Sequence, residues 1–124
     1  MELFISTSPF GESDPSILEP LRLSGISWSS NTTGRKLKPE ELLEAAKDCK
    51  ALVAGTENLS PLLKINPNLK MIARVGIGLD GVPLHECRRR GIRVSWTPDA
   101  VTQAVAELTM GLVLCTTRHV HSLD

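Results

Sequence analysis

Short apolar runs alternate along this chain with segments that have a helical pattern of apolar positions. The β-rich runs cover residues 2–6, 25–29, 51–54, 71–75 and 92–96, and helical segments lie between and after them. Strands that alternate with helices are typical of a parallel α/β sheet whose crossovers are right-handed. We therefore expect an α/β fold: an open parallel sheet of about five strands in the flavodoxin-like order 2-1-3-4-5, with helices on both faces.

Prolines mark where the helices begin. Asp14 is a good N-cap with Pro15 at the first helical position, and the second helix is predicted to start at Pro39. A short third helix is predicted over residues 60–65, and a fourth over residues 83–90, where the following glycine stops it. The apolar positions of the first helix form one stripe, made by Ile17, Leu18 and Leu21.

The last helix, predicted to begin near Ala100, differs from the others. Between residues 104 and 115 its only clearly polar side chains are Glu107 and Thr109, and a helix that is apolar nearly all round is normally buried nearly all round. We therefore expect another domain or subunit to cover it, and we predict a homodimer that exchanges this helix between its chains. Glu107 is interpreted as a structural residue that pairs with an Arg across a subunit interface or with a backbone amide, and a functional role stays open as the alternative. Because the sequence reaches Asp124 without a helix stop signal, we interpret the chain as part of a larger protein.

The composition narrows the possible functions. The chain has 124 residues, 41% of them hydrophobic, with 14 basic and 14 acidic residues and a net charge of zero. This balance argues against nucleic-acid binding, and no segment is typical of a secretory signal or a membrane span. The cysteines, an odd number and far apart, are predicted to be small buried residues at Cys49, Cys87 and Cys115. We expect a cytoplasmic location.

A glycine pattern follows the fourth predicted strand. Gly76, Gly78 and Gly81 match the dinucleotide-binding pattern G-x-G-x-x-G, and the acidic Asp99 follows at the end of the next strand. However, Pro83 delays the start of the next helix until after the third glycine, whereas a nucleotide site needs the helix N-terminus inside the pattern. Three interpretations stay open: a nucleotide loop, a turn whose glycines let a ligand approach the backbone, and a purely structural turn.

The remaining candidates for chemistry are interpreted as surface residues. His85 is predicted to be solvated, and His119 and His121 lie two positions apart, which is not a helical ligand spacing, so we expect no metal site. The run at residues 88–90 consists of three arginines and is predicted to be a solvated helix end that meets the negative end of the helix dipole.

Four segments carry a resemblance to a known family: residues 69–82, 90–94, 97–100 and 103–109. They resemble the D-isomer-specific 2-hydroxyacid dehydrogenases, most closely the phosphoglycerate dehydrogenase-like branch. The resemblance implies that residues 1–100 form a substrate-binding lobe and that residues 101–124 are an interdomain helix leading to a nucleotide-binding domain. It also places the catalytic Arg, Glu and His beyond Asp124, so no catalytic residue is expected in this chain and the fragment is expected to be inactive alone.

The same resemblance implies the site residues. The backbone amides of Val75, Gly76 and Ile77 would hold the substrate carboxylate, Arg74 would clamp an anionic end of the substrate, and a second loop would line the cleft at Ala54, Gly55 and Thr56. The side of the site that faces the nicotinamide of NAD is implied to contain Ile77, Gln103 and Val105.

The implied substrate is a small 2-hydroxy or 2-keto acid, either 3-phosphoglycerate-like or glyoxylate/hydroxypyruvate-like. Some members that use phosphoglycerate have an arginine near position 54, where this chain has alanine. This departure weakens the phosphoglycerate assignment but not the dehydrogenase assignment. The alternative function is a self-standing α/β module that binds a nucleotide or an anion with the loop over residues 76–81.

Overall fold

A computed structural model describes residues 1–122, apart from the side chain of His121. Its five strands form one parallel sheet in the order β2-β1-β3-β4-β5, as predicted. The strands are β1 (Leu3–Ile5), β2 (Trp28–Ser30), β3 (Ala51–Ala54), β4 (Met71–Arg74) and β5 (Arg93–Trp96). The α-helices are α1 (Glu19–Leu23), α2 (Pro39–Ala46), α3 (Ser60–Ile65), α4 (Leu84–Arg90) and α5 (Thr102–Thr117), and 3-10 turns cover Pro15–Leu18 and Val120–Ser122.

The first helical segment is divided in two. Asp14 caps it as predicted, since its carboxylate accepts hydrogen bonds from the Ser16 amide and hydroxyl. A continuous α-helix would then need the amide of residue 20 to bond to Ser16, but Pro20 has none. The first turn is therefore 3-10, and α1 begins at Glu19. Its apolar stripe contributes no fully buried residue to the described core.

The strand predicted over residues 25–29 begins later, at Trp28. Gly25 adopts a left-handed backbone (φ 69°), and the Ile26 amide donates to the Ser24 hydroxyl, so this stretch is a turn. The last helix likewise begins two residues after its predicted start, at Thr102.

The hydrophobic core lies on one face of the sheet. Phe4, Leu52 and Ile72 lie opposite one another on adjacent strands and are buried. Three helices cover them with the side chains of Leu42, Ala46, Leu62, Leu63 and Cys87. Asn66, fully buried, ties two of these helices together: its Nδ2 donates to the carbonyls of Ala46, the last residue of α2, and Cys49, just after that helix.

The opposite face is covered at one end and open at the other. Leu3 and Ile5 of β1 are buried there, whereas Met71 of β4 is 38% exposed and Arg93 of β5 is exposed too. A helix packed over β4 and β5 would bury these positions, but α5 is exposed along its whole length instead. Within residues 1–122, the open sheet face around Met71 and the apolar side chains of α5 are therefore left uncovered.

Two sequence predictions fail on helical residues. Cys115 is exposed because α5 packs against no described sheet residue, whereas Cys49 and Cys87 are buried as predicted. Arg90 is not simply solvated: it is partly buried, and its guanidinium donates to the carbonyls of Leu63 and Asn66 at the end of α3. Gly91 ends α4 in the left-handed conformation (φ 67°) as predicted.

The structure also shows the surroundings of His85 and Glu107. His85 is exposed, as predicted. Glu107 is also exposed and accepts a hydrogen bond of 2.8 Å from Gln103 Nε2, one turn earlier on α5. Within residues 1–122, none of the helices combines the length and the apolar character needed to cross a bilayer.

Candidate functional site

A cleft of about 250 Å³ opens at the carboxyl ends of the strands. The chain leaves β1 toward β2 on one side and leaves β3 toward β4 on the other, so the two neighbouring loops diverge and leave a crevice between them. Open α/β sheets bind their ligands at such a switch point. The cleft is lined by Ser6, Thr7, Ser8, Lys36, Gly55, Thr56, Glu57, Arg74 and Val75.

The loop after β3 forms one wall of the cleft. Gly55 is needed there because a Cβ at this position would lie 2.8 Å from Glu57 Oε2 and 3.1 Å from Thr7 Oγ1. Glu57 is only 7% exposed, and its carboxylate accepts a short hydrogen bond from the Ser6 hydroxyl. The side chain of Ala54 is in the hydrophobic core, and this residue, unlike Gly55 and Thr56, does not line the cleft.

The sequence interpretation missed the opposite wall. Lys36 approaches from the segment before α2, and its Nζ donates to Thr56 Oγ1 (3.0 Å) and to the Thr56 carbonyl (3.2 Å). Ser8, in the loop after β1, has a buried Oγ with no hydrogen-bond partner among the described residues. Ligands bind where the strand order of an open α/β sheet reverses, so the predicted order 2-1-3-4-5 would have indicated the polar residues that follow β1. The position of Lys36 could not be predicted in this way, because it depends on the path of the chain between β2 and α2.

Arg74, at the end of β4, folds back over the glycine loop. Its Nε donates to the carbonyl of Gly78 (2.9 Å), and its Nη1 donates at short range to the carbonyl of Val75. Gly76 makes this possible, because its backbone has φ 133° and a Cβ there would lie 2.6 Å from Arg74 Nη1. The second terminal nitrogen, Nη2, has no hydrogen bond among the described residues, and Arg74 lines the cleft.

The three amides expected to bind a carboxylate differ in their surroundings. The amide of Val75 donates to the Ala54 carbonyl (2.9 Å), which continues the ladder between β3 and β4. The amide of Gly76 donates to Thr97 Oγ1 (2.8 Å). Within residues 1–122, the amide of Ile77 has no recorded acceptor. Of the three, Ile77 therefore offers the donor that is open in this structure.

The final glycine of the pattern has a packing role. A Cβ on Gly81 would lie 2.2 Å from the Glu57 carbonyl oxygen, and the Gly81 carbonyl accepts a hydrogen bond from the Leu59 amide (2.9 Å). The following helix begins only at Leu84, after Pro83. The amides at its N-terminus therefore lie outside the glycine loop, and this geometry argues against the nucleotide-loop interpretation.

The residues expected near the nicotinamide are exposed. Ile77 is exposed on the glycine loop, and Gln103 and Val105 are exposed on the first turns of α5. None of the three lines the cleft among the described residues.

An exposed ion pair joins the segment before α2 to the first turn of that helix. The Arg35 guanidinium, donating to both carboxylate oxygens of Glu41 (2.7 and 2.9 Å), lowers the pKa of that carboxyl to about 2 with help from the Lys38 amide. Glu41 therefore stays ionised and caps α2, next to the segment that carries Lys36.

Comparisons with known proteins match nearly the whole chain. Residues 8–120 match the family described as D-isomer specific 2-hydroxyacid dehydrogenase, catalytic domain. A hydroxypyruvate reductase of Thermotoga maritima is 35% identical over 109 residues, which are 86% of this chain and 36% of the relative. A D-3-phosphoglycerate dehydrogenase of Methanocaldococcus jannaschii is 41% identical over 86 residues, 68% of this chain and 16% of the relative.

The fold is also similar to solved structures. The NAD+-bound 3-phosphoglycerate dehydrogenase of Entamoeba histolytica has a TM-score of 0.80 at 27% identity, covering 93% of this chain and 38% of that one. The TT0316 protein of Thermus thermophilus has a TM-score of 0.81 at 30% identity, covering 98% of this chain and 38% of that one. The chain thus spans well under half the length of the proteins it matches.

Proposed function

Because this chain belongs to the D-isomer specific 2-hydroxyacid dehydrogenase family, we propose that residues 1–100 are the substrate-binding lobe of an NAD-dependent oxidoreductase. Residues 101–124 then lead into a nucleotide-binding domain that holds most of the cofactor. NAD supplies the hydride chemistry, which takes place at C2 of a small 2-hydroxy or 2-keto acid. This lobe carries none of the proton-transfer residues, and we expect the chain alone to be inactive.

The open amide of Ile77 beside the cationic Arg74 is the observation that carries this proposal. An anionic carboxylate is held best by fixed N–H donors near a positive charge, because such donors need no reorganisation when the ligand binds. The substrate carboxylate would accept from Ile77, while the amides of Val75 and Gly76 hold the loop in shape. The free Nη2 of Arg74 would add its charge from the cleft side.

Lys36 supports a substrate with a second anionic group. Its ammonium and the hydroxyls of Thr56 and Ser8 line the same cleft as Arg74. Ser8 Oγ lacks a protein partner, and a ligand oxygen would satisfy it. Ala54 lies in the core and provides no cation, so the argument for a second anionic group rests on Lys36. We therefore propose a 3-phosphoglycerate-like substrate in preference to glyoxylate or hydroxypyruvate.

The two uncovered surfaces of the lobe support the wider architecture. Apolar residues along α5, including Val105, Leu108 and Leu112, are more than half exposed, and a patch of this kind is rarely left in water. We propose that α5 is covered by the nucleotide-binding domain and by a second subunit of a homodimer. Chain returning from that domain would cover the open sheet face near Met71.

The test is a titration of the chain with D-glycerate and with 3-phospho-D-glycerate, followed by amide NMR spectra. Both ligands should shift the Ile77 amide saturably, and the phosphorylated one should bind about tenfold more tightly, since a hydrogen bond to a charged group is worth about 1.5–3 kcal/mol. Lys36→Gln should remove that preference, whereas the control Lys38→Gln, outside the cleft, should keep it. Equal binding of both acids would contradict the proposed substrate class.

The alternative module makes the opposite prediction. If the loop over residues 76–81 bound a nucleotide, millimolar NAD would quench the emission of Trp96, which ends the neighbouring strand β5. We expect no quenching, and we expect no NADH oxidation by this chain with any 2-keto acid. Turnover by the chain alone would contradict the assignment of catalysis to residues outside it.

A further inference from the structure

The glycine loop turns its carbonyl oxygens toward protein donors. The carbonyls of Val75 and Gly78 accept from the Arg74 side chain, and the carbonyl of Gly76 accepts from the Thr97 amide at 3.2 Å. The lone pairs of these three carbonyls, which would repel an anion, are therefore engaged within the protein. The Ile77 amide, which has no acceptor within residues 1–122, is then the open donor that the loop offers to an anion.

Thr97 contacts this loop twice. Its amide donates to the Gly76 carbonyl, and its hydroxyl oxygen accepts from the Gly76 amide at 2.8 Å. A hydroxyl has one hydrogen and two lone pairs, so a hydroxyl that accepts from an N–H keeps its own hydrogen for another acceptor. No acceptor for the Thr97 hydroxyl is recorded within residues 1–122, and the residue is exposed. Its hydrogen is therefore available to a ligand bound at the loop.

We propose that the Thr97 hydroxyl is a direct ligand of the substrate carboxylate and acts together with the Ile77 amide; this rests on the proposed function. The Gly76 amide polarises the hydroxyl by donating to it, which makes the hydroxyl a better donor toward the anion. The carboxylate thus receives one hydrogen bond from the loop and one from the segment after β5. Because that segment continues into α5, the bound carboxylate ties the loop to the base of the helix that leaves the lobe.

The test compares three variants of the chain by the same amide NMR titration with D-glycerate. Thr97→Val keeps the shape of the side chain and removes the hydroxyl, Thr97→Ser keeps the hydroxyl, and the control Thr102→Val removes a hydroxyl from the start of α5. We expect the dissociation constant to rise at least tenfold in Thr97→Val and to change less than threefold in the other two. The neutral probe D-glyceramide should bind Thr97→Val and the unaltered chain with similar affinity.

The outcomes separate the two proposals. If D-glycerate shifts the Ile77 amide in the unaltered chain and in Thr97→Val with the same dissociation constant, Thr97 is not a carboxylate ligand, and the substrate-lobe proposal stands. If Thr97→Ser loses binding as strongly as Thr97→Val, the side chain matters for its shape and the inference is overturned. If D-glycerate does not shift Ile77 in the unaltered chain, both proposals fail together.

Discussion

Replacing Gly81 by alanine should destabilise the lobe strongly although the residue lies in a surface loop. The new Cβ would lie 2.2 Å from the Glu57 carbonyl oxygen, more than 1 Å inside ordinary contact, and backbone atoms cannot rotate out of the way. Overpacking of this kind costs about 1–3 kcal/mol. If the loop at residues 57–59 moves away from residue 81, the hydrogen bond from the Leu59 amide to the Gly81 carbonyl also breaks, which adds about 0.5–1.5 kcal/mol.

The expected loss is therefore about 2–4 kcal/mol, or a fall in Tm of about 10 °C for a domain of this size. Thermal unfolding followed by far-UV circular dichroism measures it. Gly78→Ala is the matched control from the same glycine pattern: a Cβ there would lie 3.6 Å from its nearest neighbour, Asp80 Oδ2, so the change should stay within about 0.5 kcal/mol. Equal effects of the two substitutions would refute the distinction between a packing glycine and a free one.

Three other predictions follow from the same structure. Asn66→Leu should lower the free energy of unfolding, measured in urea, by about 3 kcal/mol, because the carbonyls of Ala46 and Cys49 and the amide of Asn68 lose their hydrogen-bond partner. Asn58→Ala, at an exposed residue whose side chain accepts from the Ser60 amide, should cost about 1 kcal/mol. The pKa of the Glu41 carboxyl, measured by NMR, should be about 2 and should move toward the ordinary value of 4.5 in Arg35→Gln; an unchanged pKa in that variant would refute the pairing. Because the pKa is lower in the folded state, the stabilisation is present above pH 4.5 and is lost as the pH falls toward 2. Ellman's reagent should label Cys115 alone in the folded chain, because burial raises the pKa of Cys49 to about 11 and also raises that of Cys87, and all three cysteines should react in denaturant; protection of Cys115 would show that α5 is covered in solution.

The order of the sheet could be predicted because its determinants are local. Each strand is a short apolar run, the first four α-helices begin at or next to a proline, and right-handed crossovers leave few arrangements open. The bounds of β3 and α3 follow directly from this pattern. The late start of β2 could not be predicted in the same way, because it depends on the Ser24 side chain accepting from the Ile26 amide.

The glycine pattern drew attention to the loop over residues 76–81, and the family resemblance added Arg74 and the loop over residues 54–56. The structure gives the glycine loop an unusual backbone and an open amide, and its ligand stays a prediction. Lys36 and Thr97 were missed because each reaches the site from a distant part of the chain. The hydroxyl of Thr97 meets Gly76 across 21 positions of sequence, and Lys36 meets Thr56 across 20.

The glycine pattern of this loop differs physically from a nucleotide-binding fingerprint. Its three glycines meet three different requirements: Gly76 lets an arginine fold across the backbone, Gly78 meets nothing within ordinary contact except Asp80, and Gly81 admits the carbonyl of a neighbouring loop. A nucleotide fingerprint needs all three for one ligand at a helix N-terminus. Here the helix begins beyond Pro83, so the loop can offer its own amides but no helix dipole. A loop with an open amide but no helix dipole suits a small anion, which is the class of ligand that we propose for it.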